Sequence, residues 1–103
     1  MKVTGATDNE TRCRHYHEEN DIIAIKFYCC KEYYSCYKCH AEYGCGQHKV
    51  WPKAKFAEKA ILCGKCKYEL TIDDYLNGGY SCPNCHASFN PGCSIHYHLY
   101  FSR

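Results

Sequence analysis

The chain of 103 residues has a thin inventory of aliphatic side chains. Its branched aliphatics amount to little more than Val50, Leu62, Leu70, Leu76, Leu99 and the isoleucines at 22, 23, 25, 61, 72 and 95, with one Met and one Trp beside them. A domain of this size buries a limited share of its surface, so such an inventory does not supply a sufficient core by itself. No run approaches the roughly 18 consecutive apolar residues of a membrane span, which predicts a soluble protein with no membrane partner. The polar start, residues 1–12, lacks the apolar stretch of roughly 7 to 15 residues that a secretory signal requires, so export is not expected and a cytoplasmic location is. Arginine occurs only three times and no basic run of five or more exists. The electrostatic footprint of a nucleic-acid binder is therefore missing. Long repeats, low-complexity tracts and coiled-coil heptads are missing as well.

What is abundant is cysteine, 11 residues, and histidine, seven. When cysteine exceeds roughly a tenth of a short chain, disulfides or metals supply the stability that the core does not. An odd cysteine count, four closely spaced pairs and interspersed histidines point to metal ligation, and tetrahedral zinc is the ion that thiolate and imidazole donors favour. Counting metal changes the charge. Nine coordinating thiolates subtract nine from the formal +2 and three Zn²⁺ restore six, leaving −1, so the metal-loaded protein is nearly neutral.

Composition marks residues 1–12 as a flexible polar tail preceding one zinc-binding domain, 13–103. Within it, 13–50 reads as a two-metal region, 51–62 as a connector, 63–93 as a zinc ribbon and 94–103 as a terminal strand. Ile23, Ile25 and Phe27 alternate with Ala24 and Lys26, the period-two pattern of a strand, with Tyr33 to Cys36 as the return arm of a hairpin. Pro52 suits the first position of a short helix over 52–59. Thr71-Ile72-Asp73-Asp74 has the cap and acidic first turn of another helix, which Gly78-Gly79 would end. The expected fold is a small, irregular α+β domain stabilised by zinc, with short hairpins, one or two short helices and a C-terminal ribbon.

The sharpest pattern is Cys63-x-x-Cys66, fifteen intervening residues, then Cys82-x-x-Cys85. Each pair forms a knuckle that presents two sulfurs to one side, and two facing knuckles make a four-thiolate site. The N-terminal half offers eight further ligands: Cys13, His15, Cys29, Cys30, Cys36, Cys39, His40 and His48. Cys13 and His15 share one face of an extended segment and Cys36 with Cys39 forms another knuckle, so these four would make one site, although spacing alone does not fix the pairing. That leaves Cys29, Cys30, His40 and His48 for a second, interleaved site. The grouping hinges on Cys29-Cys30, since neighbours in an ideal strand face opposite ways and serve different metals unless the backbone turns there.

Cys13-Arg14-His15-Tyr16, then Cys29-Cys30, Cys36-Tyr37-Lys38-Cys39-His40, His48 and the four ribbon cysteines together resemble the CHY-type zinc finger, from Cys13 to about Cys93. The resemblance implies three zinc ions, in keeping with the grouping above. It also implies one of three settings. CHY fingers precede a RING in some ubiquitin ligases, where they serve protein interaction; no RING is present here. A helper branch in the mitochondrial intermembrane space is associated with thiol oxidation and zinc handling. Short, stand-alone bacterial members are the most similar in length and termini.

Cys45, Cys93, His17, His86, His96 and His98 fall outside the twelve ligands. Cys93, His96 and His98 could hold a further metal; Cys45, between two glycines, reads as an exposed thiol. Eleven tyrosines and Trp51 could stack on single-stranded nucleic acid, but packing around the metal modules is the better use of their apolar area. His40-Ala41-Glu42 matches the H-x-E of zinc deaminases, yet Ser81 stands where that chemistry has proline before its C-x-x-C, and twelve ligands fill three tetrahedra with no water position left. The reading is a non-enzymatic zinc module that binds another protein. A thiol-redox or zinc-handling helper for cysteine-rich clients is the alternative, and it would place the chain in the intermembrane space.

Overall fold

A computed structural model describes residues 3–44, 46, 49–89 and 100–101. A five-stranded sheet is its spine, in the order β1-β3-β2-β4-β5, from β1 (Val3–Thr4), β2 (Ile23–Lys26), β3 (Tyr33–Tyr34), β4 (Lys59–Cys63) and β5 (Glu69–Thr71). Only the β1–β3 pair is parallel; β2 runs antiparallel to both β3 and β4, and β4 to β5. Helix α1 spans Tyr37–Tyr43 and α2 spans Ile72–Asn77.

The strands arise where branched and aromatic residues cluster. Successive side chains of a strand face opposite sides of the sheet. Ile23, Ile25, Tyr34, Ile61, Cys63 and Leu70 accordingly join the large core, together with Phe27, Trp51, Phe89 and Phe101. Ala24, Tyr33 and Leu62 bury the opposite face, with Val3 packed on them. The expected hairpin is present, with Ile25 opposite Tyr34 and Lys26 opposite Tyr33. Helix α2 also starts as its sequence predicts: the Thr71 hydroxyl accepts from the Asp74 N–H at 3.0 Å, Asp73 and Asp74 occupy the first turn, and Gly78 ends the helix.

Three expectations are corrected. The helix over 52–59 is only a 3₁₀ turn at Lys53–Lys55, and the end of the connector becomes central strand β4. The carbonyls of Phe56 and Glu58 accept from the N–H groups of Asp73 and Ile72, 3.0 and 3.1 Å away, and are thus claimed by the start of α2. Helix α1 occupies a stretch read as a plain knuckle, because the Cys36 sulfur caps it by accepting from the Cys39 N–H. Residues 3–12 are not a free tail. Beyond β1 they form a turn in which the Thr7 N–H donates to Arg12 O at 2.7 Å, while Asp8 Oδ1 accepts from the N–H groups of Glu10 and Arg12. The Asp and Thr residues that gave this stretch little to bury satisfy its backbone instead. The expected terminal strand falls largely outside the described residues; Phe101 bridges to Trp51.

Candidate metal centres

Three groups of ligand atoms converge among the described residues. Site A gathers Cys13, His15, Cys36 and Cys39; site B gathers Cys29, Cys30 and His40; site C gathers Cys63, Cys66, Cys82 and Cys85, all ligand atoms of a group lying within 4.8 Å of one another. His48, expected as a fourth ligand of site B, lies outside the described residues, as do Cys45, Cys93, His96 and His98.

Site C is two copies of one turn. The Cys63 N–H donates to Tyr68 O at 2.9 Å and the Lys67 N–H returns to Cys63 O at 2.8 Å; Cys82, Ala87 and His86 repeat this at 2.9 and 2.9 Å. Lys67 and His86 close the two turns with left-handed backbones, φ 67° and 64°. Facing each other, the turns bring Cys63 Sγ to 3.7 Å from Cys85 Sγ and Cys66 Sγ to 3.7 Å from Cys82 Sγ. The Asn84 side-chain amide donates to Cys66 Sγ, and the backbone N–H groups of Asn84 and Cys85 donate to Cys82 Sγ.

The same turn resolves the question of Cys29-Cys30. The Phe27 N–H donates to Glu32 O at 3.1 Å, the Lys31 N–H returns to Phe27 O at 2.7 Å, and Lys31 has φ 58°. The backbone therefore turns where an extended strand would have splayed the two sulfurs, and both reach one cluster. Cys29 Sγ is 3.2 Å from His40 Nε2, whose ring stacks on Phe27 at 4.1 Å. Cys30 Sγ lies 3.8 Å from the Tyr34 hydroxyl.

Helix α1 splices sites A and B. Successive helical residues point about 100° apart, so Cys39 faces site A and His40 faces site B. In site A, Cys36 Sγ is 3.6 Å from both Cys13 Sγ and Cys39 Sγ. His15 Nδ1 is 3.5 Å from Cys36 and Cys39 and 3.9 Å from Cys13. The other ring nitrogen, Nε2, donates to Glu42 Oε1 at 2.6 Å, and Arg14 also pairs with Glu42. Against the cost of desolvation, His15 and Arg14 hold the Glu42 carboxyl below its ordinary range. A carboxylate behind a ligating histidine fixes its tautomer and raises its basicity. His40 and Glu42, the two ends of the H-x-E match, thus serve different clusters.

The donor sets fit zinc. Bonded disulfide sulfurs lie about 2.05 Å apart, whereas four thiolates about 2.3 Å from a tetrahedral zinc lie about 3.8 Å from one another. The observed 3.6 to 3.7 Å matches the second arrangement. Metal-free, the sulfurs compete for charge. The contact with Cys36 pulls the Cys13 thiol down to about 5, while Cys13 pushes Cys36 far up. In the ribbon, burial pushes Cys63 up to about 12, whereas Cys66, despite desolvation, is held at about 6 by the Asn84 amide and its neighbours. A divalent cation lets every member ionise together. The three clusters fit about three zinc ions.

The supporting roles of Glu42, known from the sequence only as the end of an H-x-E match, and of Asn84 are not read from the sequence. Glu42 stands three residues after Cys39, a helical neighbour once α1 is known; Asn84 sits inside the second knuckle.

Comparison with known proteins agrees with this geometry. Residues 13–75 match the model of the CHY zinc finger family. The chain is 44% identical over 97 residues to Helper of Tim protein 13 of Saccharomyces cerevisiae, covering 91% of this chain and 84% of the relative. It is 40% identical over 96 residues to the protein of the same name from Kluyveromyces lactis, covering 93% and 83%. An uncharacterized protein of Schizosaccharomyces pombe is 40% identical over 94 residues, covering 91% and 82%. No solved structure matches the chain.

Proposed function

Since this chain belongs to the CHY zinc finger family, we propose that it is a non-enzymatic zinc module that binds a cysteine-rich protein of the Tim type in the mitochondrial intermembrane space. Zinc binding is the firm part. The observation that carries the rest is chemical: in sites A and C four ligand atoms face one another at tetrahedral spacing, so the donors are directed inward at metal. What remains to present outward is a surface, and among the described residues Tyr43, Tyr68 and Tyr80 are its exposed large aromatics. The name of two relatives, Helper of Tim protein 13, motivates the partner class, and the compartment follows from that class. The test is native mass spectrometry of the zinc-loaded protein mixed with a purified, reduced small Tim protein. A one-to-one complex carrying about three zinc ions is expected, and it should vanish when the zinc is first removed. Failure of the loaded form to bind overturns the proposal.

A second reading has its own observation. Cys29, Cys30, Cys66 and Cys85 are only half buried, so each of sites B and C has thiolates that an external thiol can approach. We infer a zinc-handling role in which ions pass between these sites and the reduced cysteines of the client. Its signature would be zinc appearing on the client in the same spectra. Binding without transfer leaves the first reading standing and removes the second.

A further inference from the structure

Residues 3–12 press on two of the three metal clusters at points where only glycine fits. Gly5, at φ +89°, lies so close to site A that a Cβ built on it would collide with Cys39 Sγ and sit 2.8 Å from Cys39 Cβ. At the other end of the segment, the Glu10 carbonyl fills the space that a Cβ on Gly64 would need, with Ile22 O 2.8 Å away. Gly64 lies inside the first knuckle of site C, between Cys63 and Cys66. Lys67 Nζ fastens the same corner, donating to Gly64 O at 2.5 Å and to Asn9 O.

The fastening is polar. Strand β1 supplies only two residues of parallel pairing. The buckle is Arg12, whose guanidinium donates to Asp8 at 3.0 Å and Glu10 at 2.8 Å within the segment. Its remaining donors reach outside, to Glu18 O at 2.8 Å and Glu19 O at 2.6 Å. A planar guanidinium meeting four acceptors holds its partners by geometry as well as charge. Loosening this one group would detach residues 5–12 from the carbonyls of 18 and 19 and weaken their hold, while leaving β1 paired and the core of the sheet, centred on β2 and β4, in place.

We propose that residues 3–12 form a strap that closes sites A and C together, so that lifting it makes the metal of both exchangeable ahead of that of site B. The strap touches a sulfur of site A and the knuckle backbone of site C, and so governs how an external thiol or chelator reaches the buried sulfurs Cys39 and Cys63. It would make the N-terminal segment the control point for zinc release, whichever protein receives the metal. The inference depends on the three clusters holding zinc and not on the identity of a client.

The test uses the full-length, zinc-loaded protein carrying Arg12→Gln, Arg12→Lys or Gly5→Ala. Release is followed with a colorimetric zinc chelator, and pulsed alkylation by N-ethylmaleimide is mapped cysteine by cysteine. Arg12 acts through the segment and not on a ligand, so Arg12→Gln should speed release of two ions by roughly tenfold, the low end of the ten- to hundredfold carried by groups that bond a ligand directly. Cys39 and Cys63, both buried beneath the segment, should be modified faster than in the unsubstituted protein, with Cys29 and Cys30 little changed. Arg12→Lys, which keeps the charge but not the fork, should lie between. Gly5→Ala should expose Cys39 with Arg12 intact, and it decides the matter if Arg12→Gln does not fold. Acceleration at Cys29 and Cys30 equal to that at Cys39, or unchanged rates at Cys39 and Cys63, would overturn the proposal.

Discussion

The two halves of the molecule build metal sites from different amounts of chain. The ribbon makes site C from two near-identical turns, 63–68 and 82–87, each of which orients its own pair of sulfurs through local hydrogen bonds. The N-terminal half makes sites A and B from ligands that alternate along the sequence and meet on one seven-residue helix, α1. In the ribbon the metal closes a single loop. In the N-terminal half it ties residue 13 to residue 39 and residue 29 to residue 40, so each ion holds part of the other's frame. Modularity is the property of the first arrangement and coupling that of the second.

The largest effect expected is common to both halves. Structural zinc contributes on the order of 10 kcal/mol per site in finger peptides at neutral pH, comparable with the whole net stability of a domain. Complete removal of metal by a strong chelator at neutral pH should therefore unfold the chain, seen as loss of native circular dichroism. Retention of the native spectrum by metal-free protein would mean that the sheet stands without its ions, and the comparison would lose its basis. Next in size, Cys39→Ser should cost site A its ion and weaken site B through fraying of α1, whereas Cys66→Ser should cost site C alone. Native mass spectrometry separates these outcomes: one ion lost cleanly in the ribbon variant, and a mixture with one and two lost in the other. Equal clean losses would show the two halves to be equally modular.

How much of this was legible in the sequence follows the same division. The ribbon was readable because a knuckle is a local object: Cys63, Cys66, Cys82 and Cys85 carry their geometry in their spacing. Seven of the eight N-terminal ligands named from the sequence converge, His48 lying outside the described residues, yet their grouping turned on the backbone at Cys29-Cys30, where the bond from the Lys31 N–H to Phe27 O and the φ of 58° at Lys31 show the turn. Helix α1 was illegible because Tyr37, Cys39, His40 and Tyr43 are poor helix formers, and what starts it is a sulfur acting as cap. Strand β4 was missed because Ala60, Ile61 and Leu62 form a short apolar run with no period, buried on both faces of the sheet. Composition showed that residues 1–12 have little to bury, but it does not register that Gly5 and Glu10 are shaped to lie against clusters far along the chain. Length and termini resembled the short bacterial members, whereas the relatives matched are yeast proteins.

A smaller effect tests whether coupling extends to the groups behind the ligands. Glu42→Gln keeps the shape of the carboxylate and its contact with His15 Nε2 but removes the charge. Site A should lose roughly ten- to a hundredfold in zinc affinity, measured by chelator competition, with site C unmoved. An equal loss at site C would indicate general loosening rather than support of one histidine.

The smallest effect belongs to the ribbon's own excursion. Thr71 caps α2 by accepting from the Asp74 N–H, and α2 lies between the two knuckles of site C. Removing such a cap costs about 0.5 to 2 kcal/mol. If the ribbon is modular, Thr71→Ala should lower the stability of zinc-loaded protein to denaturant by about that amount while leaving the zinc count at three, because each knuckle sets its sulfurs by its own turn. The carbonyls of Phe56 and Glu58 that α2 engages belong to the approach to β4, the strand ending in Cys63. A Thr71→Ala protein that dropped the ion of site C would therefore reveal that the ribbon borrows its geometry from the sheet, and that its independence holds in the sequence but not in the fold.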